Sequence, residues 1–227
     1  MSTVSKTKIE WTDMVWNPVI GCKNKCPYCY ARKIALRFSA VFGNFDKPHW
    51  KESNFIKSFP KNQSKIFVNS MSDICCWKKS WIEKIISKIK EYPQHTFLIL
   101  TKGPAVYIDY KWPENVYLGI TVTNENELTT YTDQFAFISH NKFFLSIEPI
   151  QEKIDLNYFY ESDVGNVSWI IVGTETGNRK GKVIPRPEWI IDIVNYCYKN
   201  NIPLFMKDSL KNIYGELIKQ FPEGLNE

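Results

Sequence analysis

The sequence lacks any apolar run of the roughly 18 to 20 residues that a helix needs to cross a bilayer. Its first residues, MSTVSKTKIEWTDM, contain no apolar stretch that could act as a signal peptide. The chain also lacks low-complexity segments and repeats of fixed period, which would indicate a disordered, fibrous or solenoid protein. We therefore expect a globular, cytoplasmic protein that does not associate with a membrane.

The sequence has no strong excess of charge of either sign. Its 29 Lys and Arg residues face 24 Asp and Glu residues, which gives a net charge of +5. This balance permits an anionic partner, such as nucleic acid or a phosphorylated substrate, without requiring one. Apolar residues make up 44% of the 227 residues, as in an average globular protein, and predict a sizeable core. One domain over residues 1–227 is expected, since single α/β domains often reach this length.

Short segments rich in β-branched and aromatic residues alternate with segments of helical period. This alternation is typical of β-α units around a parallel sheet. The pattern predicts an α/β fold with six to seven parallel strands, as a partial or complete barrel or as an open doubly wound sheet. The predicted strands are 65–69, 96–101, 116–122, 143–148, 168–174 and 203–206, with 15–20 (VWNPVI) as a seventh candidate that Pro18 weakens.

Two helices are clearly marked in the sequence. The segment SWIE (80–83) resembles a capping box and predicts a helix that begins there and ends near Pro93. Another helix is expected to begin near Pro187 and to bury Cys197 on its apolar face. A further helix is predicted over 31–40, and a weaker one over roughly 126–137.

Polar side chains follow almost every predicted strand. The carboxyl ends of parallel strands meet at one edge of a sheet or barrel, where ligands bind in such folds, so these side chains are candidates for one site. A polar residue there can also simply mark where a strand reaches the surface. The candidates include Asn69, Ser70, Ser72, Thr101, Lys102, Thr121, Asn124, Glu148, Glu175 and Lys207.

Three of the six cysteines, Cys22, Cys26 and Cys29, lie within eight positions after the first candidate strand. In a reducing compartment such a cluster is more often a metal or redox site than a disulfide framework. A closed zinc site or an ordinary iron–sulfur cluster takes four protein ligands, and no fourth lies nearby in the sequence. Three thiolates around a four-iron cube would leave one iron open for substrate chemistry. A remote fourth ligand, His49 or Cys75, would instead make a zinc site that only holds the fold.

The spacing C-x-x-x-C-x-aromatic-C, with Tyr28 in the aromatic place, resembles the cluster loop of the radical S-adenosylmethionine (radical SAM) enzymes. The segments WNPVIGC, CYA, NSMSD, LTKGP and VGTETG extend a similarity over nearly the whole chain, to phage- and bacterium-encoded radical-SAM-like proteins of unassigned function. Many members have a longer gap between the first and second cysteines, and many read Gly-Gly-Glu-Ser-Gly where this chain has residues 173–177. The resemblance implies a (β/α) TIM-like barrel, partial or complete.

The resemblance also implies cofactors and a mechanism. Cys22, Cys26 and Cys29 would be the catalytic metal ligands of a 4Fe-4S cluster whose fourth iron binds the amino and carboxylate groups of S-adenosylmethionine. One electron from a reductant such as flavodoxin or ferredoxin would cleave the sulfonium. The 5′-deoxyadenosyl radical would then abstract hydrogen from a substrate, for which a nucleotide or nucleic acid is a candidate. A partner protein is a further candidate, since the chain is short for this superfamily.

The same resemblance gives roles to the strand-end residues. Tyr28 would pack near the adenine, and Thr101 and Lys102 would lie on the rim, where Lys102 can hold a carboxylate or a phosphate. The residues expected near the methionine group, because that strand end has this role in similar enzymes, are Asn69, Ser70 and Ser72. Those expected near the ribose hydroxyls or the ammonium are Thr121, Asn124 and Glu148.

Several alternatives stay open at this level. The chain could be a zinc-stabilised binding module, or a scaffold that keeps a cluster without turnover and acts with a partner. The adjacent Cys75 and Cys76 could be buried by packing, donate a hydrogen atom to a substrate radical or bind a second metal. Glu175 and Lys207 could face the substrate or form a salt bridge on the rim. The long connection 41–64 could be a binding loop or could pack on the fold.

Overall fold

The computed structural model describes residues 3–135, 141–157 and 167–225. It divides into two compact units, the first comprising Met1–Val106 and Lys111–Tyr117 and the second Tyr107–Tyr110 and Leu118–Glu227. Within the described ranges, eight strands that mostly run parallel to their neighbours, together with helices between them, make an α/β fold. The predicted fold class is therefore confirmed, whereas a single domain over 1–227 stays a prediction.

The first unit contains four of these strands, in the spatial order β1, β2, β5 and β6. Their bounds are β1 Ser5–Lys6, β2 Met14–Val15, β5 Lys65–Phe67 and β6 Thr96–Thr101. The pairs β2·β5 and β5·β6 are parallel, but β1 pairs antiparallel with β2. The sequence did not predict this antiparallel strand, because two exposed residues carry no periodic signal.

The prediction of one continuous strand over 15–20 is wrong. This segment is divided into β2, which ends at Val15, and β3 (Val19–Ile20). Strand β3 pairs antiparallel with β4 (His49–Trp50) in a separate two-stranded sheet. Pro18 lies between them and cannot donate a hydrogen bond to a ladder, so the chain changes partner there. The division places the end of β3 directly before the cysteines.

Four helices are described in the first unit: α1 (Tyr30–Arg37), α2 (Ser39–Phe42), α3 (Glu52–Phe55) and α4 (Lys79–Lys90). Helix α4 buries Ile82, Ile85, Ile86 and Ile89, as its periodicity predicts. The capping box predicted at Ser80 is wrong, because α4 begins one residue earlier, with Lys78 as an N-cap that makes no side-chain hydrogen bond. Burial of the isoleucine face, not a cap, therefore stabilises this helix.

The second unit contains most of β7 and all of β8, β9 and β10, in that strand order, with parallel pairing between β8 and β9 and between β9 and β10. The bounds are β7 Val116–Thr121, β8 Lys142–Ile147, β9 Val167–Val172 and β10 Leu204–Met206. The helices are α5 (Glu125–Phe135), α6 (Pro187–Lys199) and α7 (Lys211–Tyr214). The helix predicted over 126–137 corresponds to α5, and its last two positions lie outside the described residues.

Helix α6 begins at Pro187 and buries Cys197, which is 2% exposed, so both predictions are confirmed. Burial raises the pKa of the Cys197 thiol to about 12, as expected for a cysteine that only packs. In the described parts of the chain, no helix combines the length and apolar character needed to span a membrane.

Candidate metal centre

The cysteine loop, residues 21–29, joins the end of β3 to the start of α1. Its first residue must be glycine, because Gly21 has φ +105° and a Cβ there would lie 2.7 Å from the Phe45 carbonyl oxygen. At the other end Cys29 is the N-cap of α1, and its sulfur accepts a hydrogen bond from the Arg32 N–H at 3.3 Å. The backbone therefore fixes both ends of the loop.

Cys22, Cys26 and Cys29 are all free and half-buried. Cys22 and Cys29 pack against one buried apolar cluster, made of Ile20, Ala31, Ala35, Phe45 and Met71. Thiolates are the donors that iron–sulfur clusters take, so the loop suits such a cluster in its chemistry. Within the described ranges, however, no three acidic, histidine or cysteine side chains are already grouped around a metal position. The loop would have to draw its three sulfurs together to hold a cluster.

Tyr28 and Lys102, both predicted site residues, lie beside Cys26. Tyr28 follows Cys26 by two positions, and the Lys102 ammonium lies 5.5 Å from the centre of the Tyr28 ring. Burial raises the pKa of the Cys26 thiol, while the Lys102 charge and the Tyr28 hydrogen bond act in the opposite direction. The structure thus brings an aromatic face and a cation to the middle cysteine.

Asp73 is the centre of the hydrogen bonds that attach the loop to its surroundings. It is 8% exposed and accepts from Thr101 Oγ1 at 2.5 Å and from the Lys102 N–H at 3.0 Å. It also accepts from the Cys75 N–H at 3.1 Å and from Asn24 Nδ2 at 2.9 Å. Burial raises the pKa of Asp73, and these hydrogen bonds oppose the shift. Asp73 belongs to the polar strand-end segment that the sequence predicts to line the rim, but no role was predicted for it, although an aspartate two residues before a backbone N–H it can cap is a recognisable signal.

A second group of thiols lies against the loop. Cys75 and Cys76 belong to a 3-10 helix, Ile74–Cys76, and their sulfurs are 3.8 Å apart. Cys75 is exposed and Cys76 is half-buried, so the interpretation as buried packing is wrong. Hydrogen bonds from Cys22 and Cys75 hold the pKa of Cys76 well below that of a free cysteine and raise the pKa of the two thiols that donate them.

The strand-end residues Asn69, Ser70 and Ser72 have protein partners. Asn69 exchanges two hydrogen bonds with the Leu100 backbone, at 2.6 and 3.0 Å, and so bridges the ends of β5 and β6. Ser70 Oγ pairs with the Asn17 amide, and Ser72 Oγ accepts from the Trp77 indole at 3.1 Å. Ser72 also forms a parallel bridge with Gly21, so this turn lies against the first residue of the cysteine loop. Contact of these residues with a methionine group stays a prediction.

The other predicted residues lie in the second unit, each in its own local setting. Thr121 is buried at the end of β7. Asn124 Oδ1 accepts from the Glu127 N–H at 2.8 Å in the first turn of α5, as a helix-capping residue does.

Glu148 forms an ion pair with Lys207 at 2.8 Å and accepts from Ser146 Oγ at 3.2 Å. The adjacent Gly173 leaves room for this pair, since a Cβ there would lie 2.8 Å from Glu148 Oε1. Glu175 forms two 2.7 Å hydrogen bonds with Arg179. The salt-bridge interpretation therefore holds for both Lys207 and Glu175.

The model of one protein family, described as "Protein of unknown function (DUF5131)", matches residues 6–219. No curated protein matches the chain. Two solved structures are similar in fold. A cysteine-to-serine mutant of spore photoproduct lyase has a TM-score of 0.58 at 10% identity, over 95% of this chain and 78% of that chain. Spore photoproduct lyase complexed with dinucleoside spore photoproduct has a TM-score of 0.59 at 9% identity, over 94% and 77%. This likeness confirms the predicted TIM-like class of fold.

Proposed function

The chain belongs to the family described as protein of unknown function DUF5131, and we propose that it acts as a radical SAM enzyme. The observation that carries the proposal is the cysteine loop, which presents three free thiols between the end of a strand and the N-terminus of a helix. The fold similarity to spore photoproduct lyase supports this class of enzyme.

Cys22, Cys26 and Cys29 would hold a 4Fe-4S cluster as its three thiolate ligands. With S-adenosylmethionine and one electron, such a cluster supplies a 5′-deoxyadenosyl radical. The chain's own contribution is to position the ligands and to exclude water. Asp73 does part of this work, because its bond to Asn24 fixes the middle of the cysteine loop.

Tyr28 and Lys102 are the best supported residues of the proposed S-adenosylmethionine pocket. Both lie beside Cys26, where the ring offers a flat surface for adenine and the ammonium attracts a carboxylate. Further contacts are proposed for Asn69, Ser70, Ser72 and Thr101, whereas the roles of Thr121, Asn124 and Glu148 toward the ribose or the ammonium stay a prediction. Thr101 donates a hydrogen bond to Asp73, and Asn69 donates one to the Leu100 carbonyl oxygen. Because these groups already have protein partners, the proposed role of both residues is to shape the rim.

A nucleotide or nucleic acid is the proposed substrate class. The net charge of +5 permits an anionic ligand, and one of the similar solved structures is a complex with a dinucleoside photoproduct. The electron would come from a reductant such as flavodoxin or ferredoxin, and a partner protein is part of the same proposal.

The zinc-stabilised alternative has less support. His49, its histidine candidate, has its ring against Gly43 and Nδ1 3.0 Å from the Lys47 carbonyl oxygen. Cys75, its other candidate, has its sulfur 3.9 Å from Asn24 Nδ2 of the loop but is exposed. Neither contact forms a closed tetrahedral site with the loop.

Anaerobic reconstitution with iron and sulfide, followed by reduction in the presence of S-adenosylmethionine, tests the proposed function. We expect about four iron and four sulfide per chain, and release of methionine and 5′-deoxyadenosine detected by chromatography. Cys26→Ala should abolish cofactor cleavage, whereas Cys197→Ala, a matched change at a buried thiol far along the chain, should retain it. Tightly held zinc without sulfide would favour the binding module. A cluster without 5′-deoxyadenosine would favour the scaffold.

A further inference from the structure

The cysteine loop carries three thiols, and a 4Fe-4S cluster has four irons. The structure places one more sulfur directly against this loop, and it comes from a distant part of the sequence. That sulfur belongs to Cys76, the last residue of the 3-10 helix Ile74–Cys76. Nothing in the loop's own spacing indicates this contact.

Cys76 contacts the loop at two consecutive residues, Lys23 and Asn24, which directly follow Cys22, a proposed iron ligand. The Lys23 N–H points at the Cys76 sulfur at 3.5 Å, and the Asn24 Oδ1 atom lies 3.9 Å from the same sulfur. The Cys76 sulfur therefore lies against the segment between the first and second cysteines of the loop.

The position of Cys76 is fixed by the structure around it. Asp73 caps the 3-10 helix through the Cys75 N–H and holds Asn24 through its other oxygen, so helix and loop share one anchor. The Cys76 N–H bonds to the Asp73 carbonyl oxygen at 3.0 Å. Ile74, the first residue of this helix, is fully buried.

Cys75 is the natural comparison, since it is adjacent and chemically identical. Its side chain is exposed, and its Cβ lies against Gly103, where an added Cβ would be only 2.8 Å away. Its sulfur touches Asn24 at 3.9 Å but makes no backbone contact with the loop among the described hydrogen bonds. Cys75 and Cys76 therefore form a pair in which only one member contacts the loop backbone.

A thiol placed in this way has a specific use next to a cluster. Iron in such clusters prefers thiolate ligands, and backbone N–H groups that point at a ligating sulfur are the usual surroundings of cluster cysteines. The Lys23 N–H already has this orientation toward Cys76. A hydrogen-atom donor, by contrast, would have to face the substrate and not the ligand loop.

On the premise of the proposed function, we propose that Cys76 binds the fourth iron while S-adenosylmethionine is absent and releases it when that cofactor binds. In the exchange, the bond between iron and the Cys76 sulfur breaks, and bonds from the amino and carboxylate groups of S-adenosylmethionine form. The sulfur leaves as a thiolate and takes up the proton that the ammonium group of S-adenosylmethionine loses when its nitrogen binds iron, and no electron is transferred. Cys76 thereby protects the fourth iron from loss and from oxidants between turnovers.

Two measurements on the anaerobically reconstituted full chain test this proposal, neither of which depends on turnover. The first is oxidation with ferricyanide, followed by electron paramagnetic resonance of the three-iron product that forms when an open iron is lost. We expect the wild type and Cys75→Ala to keep the fourth iron and Cys76→Ala to lose it severalfold faster. The second is alkylation of the wild type with iodoacetamide, read residue by residue by mass spectrometry. Cys76 should be protected severalfold by the cluster and become reactive again when S-adenosylmethionine is added.

Equal loss of iron from the wild type and Cys76→Ala, with Cys76 alkylated at the same rate with and without the cluster, would overturn the assignment. The alkylation arm uses the unmodified chain, so a folding defect of the variant cannot mask the answer. If the wild type takes up no iron and sulfide, the proposed function itself has failed. If it cleaves S-adenosylmethionine but Cys76 is never protected, only the role of Cys76 has failed.

Discussion

Asp73 shows what residue-level reasoning from the sequence reaches and where it stops. The spacing of Cys22, Cys26 and Cys29 is a local signal, so the candidate ligands could be predicted directly. The four hydrogen bonds of Asp73 join segments about 30 to 50 positions apart, at Asn24 and Thr101, and nothing local in the sequence reveals them. Partners of this kind depend on tertiary structure, as does the pairing of Glu148 with Lys207.

Asp73→Asn should loosen the cysteine loop. The amide would turn an N–H₂ group toward donors that now meet carboxylate oxygens, at Thr101, Lys102, Cys75 and Asn24. We expect the free energy of unfolding to fall by about 1 to 3 kcal/mol, because buried donors lose their acceptor, and the iron content after reconstitution to fall. Urea denaturation and iron analysis measure both effects. Asp109→Asn, at an exposed aspartate, is the control, and equal behaviour of the two variants would refute the anchoring role.

His95 should make stability depend on pH. It is 1% exposed among the rings of Phe59, Tyr92 and Phe97, and this burial lowers its pKa, although the Pro60 backbone acts in the opposite direction. The unfolded chain, with a histidine pKa of about 6.5, then binds the proton more readily than the folded chain. The free energy of unfolding should therefore fall as pH drops below about 6.5 toward the lower folded pKa, by up to about 1.4 kcal/mol per pH unit.

His95→Phe tests this dependence, because phenylalanine keeps a ring among the neighbouring rings and removes the proton site. The slope of unfolding free energy between pH 7.5 and pH 5.5, which spans the histidine value of about 6.5, should become flatter in His95→Phe. An unchanged slope in His95→Phe would assign the dependence to another group.

Among the elements, prediction succeeds where a segment is long enough to show its own period. Strand β6 was predicted with its exact bounds, and α6 begins at the predicted proline, since each has six or more residues of regular pattern. The two-residue strands β1 to β4 carry no such pattern, and their pairing is decided by distant partners. The N-terminus of α4 was misplaced for a related reason, because tertiary burial outweighed a local capping signal.

Lys88 of α4 connects that helix to the end of α3 and to the segment that follows it. Its ammonium donates to the carbonyl oxygens of Phe55 and Lys57 and lies 4.9 to 5.4 Å from the ring centres of Phe55, Trp16 and Phe59. Lys88→Met keeps most of the aliphatic chain but leaves both carbonyl oxygens without this donor. We expect the free energy of unfolding to fall by about 1 to 3 kcal/mol, from the lost hydrogen bonds and cation–π contacts.

The matched control for Lys88→Met is Lys90→Met, on the exposed side of the same helix. Urea denaturation of both variants separates the contacts of Lys88 from any general effect of methionine in α4. Similar midpoints for the two variants would mean that the contacts of Lys88 contribute nothing measurable.

At the scale of the whole molecule, the fold is similar to that of solved structures with which the chain has very little sequence identity. The chain shares its fold with spore photoproduct lyase at 9 to 10% identity, which is possible because a β/α fold requires alternating apolar patterns more than particular residues. The apolar pattern therefore predicted the α/β class, and six to seven parallel strands came close to the eight described. The antiparallel edge strand and the sulfur of Cys76 at the loop depend on contacts that composition and period do not encode.

Cluster loading should stabilise the whole chain, because a ligand that binds the folded state more tightly than the unfolded state raises Tm. The three cysteines are close in sequence, so the unfolded chain retains some affinity for iron, and this lowers the gain. The folded chain still binds better, since Gly21, Asp73 and the N-terminus of α1 fix the loop. A gain of about 1 to 2 kcal/mol would raise Tm by about 2 to 8 °C in a chain of this length.

Anaerobic calorimetry should show this rise on reconstitution, its reversal by an iron chelator, its loss in Cys26→Ala and its retention in Cys197→Ala. A rise that persists in Cys26→Ala would mean that iron acts elsewhere on the chain, and the cysteine loop would then not be the metal centre.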